Sequence, residues 1–252
     1  MKVACFAIAL SGILAETGAL AGDRGVPPTE KAVIEFPTES FQFQTLVAWD
    51  SHYGAEGRDS LDGDGLASIL LEMDLSGWRL GSWFAEGTGA DYEERNFYIE
   101  RDFEWRGLEG YFGYKFLQFP GEDNESDNEL GAGLSGPELP LGLVPEINWY
   151  YSADAGGSYL DAGLTREFHL TDQLQLIPSI FVGRNEGYVS DGHPGTDHVR
   201  FALETNFRVN DRFTIQAHVG KSIEINSDSA AFAGDALLRD FFHGGVGIMI
   251  SF

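Results

Sequence analysis

Phe41-Gln42-Phe43-Gln44-Thr45-Leu46-Val47-Ala48-Trp49-Asp50 is the stretch that decides the fold. Phe41, Phe43, Thr45, Val47 and Trp49 alternate with Gln42, Gln44 and Asp50. A period of two puts one face of an extended chain in an apolar medium and the other in a polar one. The pattern recurs: Ala67, Ile69, Leu71, Met73 and Leu75 alternate with Ser68, Glu72 and Asp74. It returns in Val199 to Arg208, and again where Phe213, Ile215, Ala217 and Val219 alternate with Thr214, Gln216, His218 and Gly220. No stretch after Leu20 sustains helical spacing long enough to compete.

Working outward, the sequence predicts twelve such strands, at 41–52, 65–75, 78–86, 94–104, 108–118, 127–135, 145–153, 158–168, 173–185, 197–208, 212–222 and 241–252. Most exceed the ~5–6 residues usual for soluble proteins and suit the ~9–11 residues of a tilted strand crossing a bilayer. The connections alternate in length. Ser76-Gly77, Trp105-Arg106-Gly107, Leu170 to Asp172 and Val209-Asn210-Asp211 are short, whereas Tyr53 to Asp64, Gly87 to Glu93, Phe119 to Ser126, Glu186 to Thr196 and Ile223 to Asp240 are long. Short turns at one end and long loops at the other are the arrangement of an outer-membrane barrel. Gly136 to Val144, long and proline-rich, departs from it. The expected fold is all-β, a single transmembrane antiparallel β-barrel of about 12 strands. Trp49, Trp78, Trp149, Tyr150, Tyr151 and Tyr53 fall near strand ends, where interfacial aromatic girdles form. Two residues conflict with this register: Arg101 shares an apolar face with Phe97, Ile99 and Phe103, and Pro178 interrupts the row Leu174, Leu176, Ile180 and Val182.

The chain ends support a membrane address. Met1-Lys2, the apolar run Val3 to Leu14 and Ala19-Leu20-Ala21 make a signal peptide over residues 1–21. Residues 22–40 read as a periplasmic leader and 41–252 as the barrel. Val246, Ile248, Ile250 and the terminal Phe252 form a closing strand with an aromatic carboxy terminus, the expected signal to the barrel-assembly machinery. The 252 residues carry 16 Lys+Arg against 40 Asp+Glu, a net charge of -24. That argues against nucleic acid, which needs clustered basic residues. Cys5, inside the signal peptide, is the only cysteine, so the mature chain has no disulfide framework. The expected setting is the outer membrane of a Gram-negative bacterium, with outer-membrane lipid, the assembly machinery and small solutes or cations as partners.

The middle of the chain, residues 108–185, resembles the TorF-type porin family. The resemblance rests on Tyr111-Phe112-Gly113-Tyr114, Phe119-Pro120-Gly121, Glu129-Leu130-Gly131-Ala132-Gly133-Leu134, Trp149-Tyr150-Tyr151-Ser152 and Tyr159-Leu160-Asp161-Ala162-Gly163. It implies a diffusion channel, and it brings no catalytic residues with it.

The polar parity predicts a charged lumen. Glu72, Asp74, Glu100, Asp102, Glu109, Asp161, Glu167 and Glu204 are expected to line it, opposed by Arg79, Lys115, Arg200 and Arg208. An excess of acids favours cations where a water path exists; pairing across a narrow interior would instead close it. A porin-like channel for passive diffusion of small solutes or ions, with a preference for cations in ion transport where the lumen is open, is thus the leading expectation. The alternatives are a closed structural barrel, a lipid-modifying barrel enzyme, or a secreted soluble all-β binding protein. Hydrolases need a nucleophile oriented by a base. His52, His169, His193, His198, His218 and His243 lack a Ser two positions on, so no catalytic residue is predicted. Asp59, Asp62 and Asp64 have calcium-type oxygens and His193, His198, Asp191 and Asp197 zinc-type donors, but a solvated acidic loop is the stronger reading of each. No metal and no cofactor is expected.

Overall fold

The computed structural model describes residues 41–120 and 124–252. The expected signal peptide 1–21, the leader 22–40 and the loop acids Glu122 and Asp123 lie outside the described residues. Twelve long strands follow one another: β1 Phe41–Asp50, β2 Leu66–Leu75, β3 Trp78–Gly87, β4 Glu93–Trp105, β5 Leu108–Phe119 and β6 Glu125–Ser135, then β7 Val144–Ser152, β8 Gly157–Thr165, β9 Leu174–Glu186, β10 Gly195–Arg208, β11 Phe213–Glu224 and β12 Phe241–Ser251. Each pairs antiparallel with its neighbours in sequence, and β1 pairs with β12 from Gln44↔Ser251 to Asp50↔Gly245. The sheet is therefore a closed up-and-down barrel with no free edge, as a strand structure in lipid requires. Among the described residues no helix is long and apolar enough to cross a membrane.

Phe41, Phe252 and the tight turns share one end of the barrel, the turn end. There Ser76 and Gly77 (φ 54° and 81°) and Arg106 and Gly107 (φ 55° and 77°) make two-residue hairpins. Left-handed φ at both central residues is the type I′ geometry that matches strand twist. The opposite, loop end carries the long connections.

Along each strand one parity is apolar and exposed: Val47, Trp49, Phe97, Ile99, Phe201, Leu203, Ile215, Val219, Val246 and Ile248 all face outward. A soluble monomer rarely exposes contiguous apolar patches beyond a few hundred Å². Here the whole girth is apolar, so the medium outside is lipid. This separates the chain from a secreted binding protein.

Arg101 keeps its apolar parity in an unbroken β3–β4 register, with no bulge beside it. Its Nη1 donates to Ser76 O at 2.6 Å and its guanidinium lies 5.4 Å from the Trp78 ring centre. The side chain snorkels to the turn end, where the charge meets the interface. Pro178 falls just past the last β8–β9 rung, Thr165↔Ser179, and its carbonyl accepts Arg166 N–H at 3.1 Å. Its missing donor thus sits where the ladder ends. That break shortens the expected strand 158–168: β8 stops at Thr165, and Phe168–His169 pairs separately with Leu176 and Gln175. Tyr53 and Tyr150 are not girdle residues. Tyr150 has the inward parity of Asn148 and Ser152 and is 1% exposed, and Tyr53 is buried beneath the loop end.

Candidate functional site

The inward parity of β2 to β6 builds a polar network. Arg79 Nη2 pairs with Glu100 Oε2 and Asp102 Oδ1, each at 2.9 Å. Lys115 Nζ pairs with Glu129 Oε1 at 2.8 Å. The carboxylates are also held by phenols. Tyr98 donates to Glu72 Oε2 at 2.5 Å, Tyr53 and Tyr92 donate to Glu94 Oε2 at 2.6 Å, and Tyr188 donates to Glu129. Asn96 Nδ2 completes Glu94 with a bond to Oε1 at 2.8 Å. Burying ionised groups is costly without such partners. Tyr53 lies in the loop after β1; burial, and then the charge of Glu94, push its phenol well above the ordinary value, so it remains a donor.

The other side of the lumen holds a cavity of about 150 Å³. Asp50 and His52 reach it from β1 and the loop that follows, Asp161 from β8, His198, Arg200 and Glu204 from β10, His218 and Ser222 from β11, and His243 from β12. The segment Tyr53 to Gly57 also lines it, from the loop end. Three imidazoles lie flat because glycine stands opposite each: a Cβ on Gly220 would collide with His243, one on Gly245 with His218, and one on Gly183 with His198. Side chains laid along the wall leave the space free. His218 Nε2 is 3.2 Å from Asp50 Oδ1, and the Tyr159 hydroxyl is 3.2 Å from His198 Nδ1. Ser222 Oγ and Asp161 Oδ1 are buried with no hydrogen-bond partner among the described residues.

The loop end is closed over by the connections after β1, β9 and β11. Arg58, 1% exposed, is their centre. Its Nη1 donates to Asp197 Oδ2 at 2.6 Å, its Nη2 to Asp235 Oδ1 at 3.1 Å and its Nε to Gly234 O at 2.8 Å. Burial raises the Asp235 carboxyl, but N–H donors of Asp228 and His193 and the His193 ring outweigh it and hold the group below its ordinary value. Arg239 binds Asp59 at 2.6 Å and Asp62 at 2.7 Å. A guanidinium thus occupies the acidic turn that resembled a calcium loop. The two histidines considered for zinc also part company: His193 Nδ1 is 2.8 Å from Asp235 Oδ2, whereas His198 meets Tyr159 in the lumen. Among the described residues no group of three His, Cys, Asp or Glu side chains is arranged to hold a metal ion.

Of the residues expected in the lumen, Glu72, Asp74, Arg79, Glu100, Asp102, Glu109, Lys115, Asp161, Arg200, Glu204 and Arg208 stand at inward-parity positions. The structure brings together Arg79 with Glu100 and Asp102, and Arg200 with Asp161 and Glu204 around the cavity. Asp74 and Arg208 instead serve the turn end, accepting from Gly77 N–H at 3.2 Å and donating to Asp172 O at 2.9 Å. Glu167 is in no strand. It lies in the break after β8, bonded to Gln175 and 2.7 Å from His169. Sequence reasoning passed over Glu94, Glu129 and Asp50, although parity alone marks them: Glu94 precedes Asn96 and Tyr98, and Glu129 precedes Gly131 and Gly133, all at two-residue steps.

No family model matches the chain, and no curated protein matches it. Solved structures do. The KdgM porin in complex with disordered oligogalacturonate is similar at a TM-score of 0.53 and 9% identity, over 84% of this chain and 99% of that one. The NanC porin is similar at a TM-score of 0.54 and 10% identity, over 82% of this chain and 98% of that one. At such identity the likeness is one of fold. What this chain shares with those two porins is the closed antiparallel barrel.

Proposed function

We propose that this chain is an outer-membrane, porin-like channel that passes small solutes or ions by passive diffusion and prefers cations. The observation carrying this reading is the lumen: charged and polar groups of β1 and β10 to β12 face free space, which Leu46, Leu66, Leu70, Trp83 and Phe241 complete on the apolar side. The fold likeness to porins and the TorF-type tracts of β5 to β9 point the same way. The preference follows from pairing. Arg79 and Lys115 face carboxylates at salt-bridge distance, and the cavity sets Asp50, Glu56, Asp161 and Glu204 against Arg200. Low-dielectric walls focus that excess into a cation-attracting potential. Oligogalacturonate, the polyanion seen with KdgM, would meet repulsion here and is not carried over.

A closed structural barrel is the second reading, favoured by the cover that Arg58 holds over the loop end. A hydrolase has weaker support. Ser51 Oγ lies 3.2 Å from His52 Nδ1, but the two are consecutive, and the hydroxyl also accepts Gly244 N–H at 3.0 Å to tie strand ends together. Reversal potentials across a planar bilayer under a KCl gradient test the proposal. Cation-selective conductance is expected, weakened by Glu72→Gln, Glu100→Gln and Glu204→Gln together. Anion selectivity would overturn the charge argument, and absence of conductance would favour the closed barrel.

A further inference from the structure

The two ends of the cavity lack different things, and strand register shows which. Asp50 pairs with Gly245, Gly245 with His218, and His218 with Glu204. One rung across β1, β12, β11 and β10 therefore carries two carboxylates with an imidazole between them. His218 holds Asp50 at 3.2 Å, whereas Glu204 has no hydrogen bond or ion pair among the described residues. Among those residues Arg200 is the only Lys or Arg lining the cavity, and Asp161 and Glu56 line the same space. The guanidinium is thus already answered, and the acid rung keeps an excess of negative charge. Two inward rungs nearer the loop end, Ser222 pairs with Arg200 and is 2% exposed. Its hydroxyl and Asp161 Oδ1 are buried without a hydrogen-bond partner among the described residues. The rung between the two tiers sets Gly220 opposite Ala202, which leaves the space open.

We propose that this cavity binds ring-sized organic ammonium ions that carry a hydroxyl on the side away from the nitrogen. The inference deepens the channel reading and rests on it, because it names the class of cation that the lumen admits. The ammonium goes to the acid rung. Three inter-strand steps of ~4.8 Å separate Asp50 from Glu204 round a curved wall, and both side chains line the same cavity. An ammonium has three donors to share between them, and opposite charges attract more strongly here than in water. The body of the solute meets Leu46, Leu66, Leu70, Trp83 and Phe241 on the apolar side, where hydrocarbon gains by leaving water. The cavity measures about 150 Å³, and an apolar cavity of roughly that volume takes up one benzene ring. The hydroxyl goes to the loop-end tier, donating to Asp161 Oδ1 and accepting from Ser222, whose own proton rotates to suit a partner. A carboxylate at that end would meet Asp161 and Glu56 instead. The span agrees: His218 and Ser222 are four residues apart on β11, about 13 Å between backbones. A ring with a polar group at each end and a hydrogen bond of ~2.8 Å beyond each has a length of that order.

The test is isothermal titration calorimetry on the folded barrel in non-ionic detergent, at a pH of about 7.5, where an ordinary imidazole is neutral and a primary amine charged. The probes are trans-4-aminocyclohexanol, cyclohexylamine, trans-1,4-cyclohexanediol and methylamine. The expected result is that trans-4-aminocyclohexanol binds at least tenfold more tightly than the diol, which lacks the charge, and than methylamine, which lacks the ring. Its advantage over cyclohexylamine, which lacks the hydroxyl, should be at least threefold. Glu204→Gln should abolish the advantage over the diol, and Ser222→Ala the advantage over cyclohexylamine. Neither change removes a hydrogen bond within the described residues, so both variants should still resist SDS until boiled. Equal affinity for the amine and the diol, no binding of trans-4-aminocyclohexanol by the folded wild-type barrel, or preferences that survive both substitutions overturn the inference. The channel reading fails separately, by absent conductance in the bilayer, so the two results are distinguishable.

Discussion

Replacing Lys115 by Met tests whether the β2–β6 side of the lumen is dry. Lys115 and Glu129 are both buried and their charged atoms are 2.8 Å apart. Unit charges at that separation attract by about 6 kcal/mol at an effective dielectric of 20. Desolvation of the two groups offsets most of this in the intact protein. Removing one partner leaves the penalty without the attraction, and the Tyr188 hydroxyl that Glu129 retains is a neutral donor. The expected cost of Lys115→Met is about 3–5 kcal/mol, a shift of roughly two to nearly four orders of magnitude in the unfolding equilibrium. Glu129→Gln in the same chain should recover much of it. The neutral amide still accepts from Tyr188 and carries no charge to desolvate. Equilibrium urea unfolding in detergent, with the single and double variants arranged as a cycle, reads both numbers. A Lys115→Met barrel within about 0.5 kcal/mol of wild type, the ordinary range for a surface change, would refute the reasoning. It would mean that water already screens the pair and that the path through this side is open.

Three further outcomes are expected. Arg58→Ala should loosen the loop-end cover without unfolding the barrel, because its partners Asp197 and Asp235 lose a buried cation; cleavage at Glu56 by a Glu-specific protease should rise at least tenfold while SDS resistance persists, and unchanged protection would show that other contacts hold the cover. The same cover should respond to acid with a defined sign. Asp235 is held below its ordinary value, so its contribution is complete above the unfolded pKa of about 3.9 and is lost as pH falls through the lower folded value. Protection measured by the same proteolysis, with the loops probed after return to neutral pH by hydrogen-exchange labelling at each acid pH, should hold between pH 7 and 5 and fail below about pH 4; loss already between pH 6 and 5 would assign the response elsewhere. Deleting Phe252, which donates its N–H to Phe43 O at 2.9 Å and packs 5.8 Å from the Phe43 ring, should lower the amount of folded barrel recovered from membranes, and undiminished recovery would count against an assembly role.

How much of this was legible in the chain depends on how local the signal is. Strand parity is local, so residues such as Glu72, Arg79, Glu100 and Lys115 can be assigned to one face of their strands from the two-residue period alone. The Ser76-Gly77 turn is equally plain, whereas the expected connection Trp105-Arg106-Gly107 is one residue longer than the Arg106-Gly107 turn, because Trp105 stays in the strand. Glu167 was misplaced for a reason that is only half local: the break in β8 is set by a proline one strand away, across the β8–β9 ladder. Tyr150 was read by its nearness to a strand end, although its parity already assigned it to the interior. The loop-end cover was out of reach, since Arg58 meets partners 139 and 177 residues along the chain. Nothing periodic links them, and a lone basic residue among acids reads as solvated. The histidines were weighed as nucleophile partners or metal ligands. Their part in shaping the cavity depends on which glycine faces each across the sheet, and only register supplies that.

Register also explains two compositional oddities together. A barrel interior has too little room for a large side chain at every inward position, so bulk on one strand requires its absence on the next. Tyr98 lies over Gly81, Tyr111 over Gly133, Phe181 over Gly163 and His243 over Gly220. Part of the glycine count of 32 is therefore the complement of the aromatic and imidazole content, set rung by rung. Of the phenols so placed Tyr98 donates to Glu72, and the loop phenols Tyr53, Tyr92 and Tyr188 likewise find acceptors in Glu94 and Glu129. Part of the acid excess within the barrel thus answers the tyrosines as well as any cation. The acids around the cavity differ in kind. Asp50, Asp161 and Glu204 stand beside small side chains and free volume, where a carboxylate has little packing to satisfy and a charged solute to meet. It is on that side of the lumen, and not among the phenol-bound carboxylates, that a charge-neutralising substitution should change selectivity most.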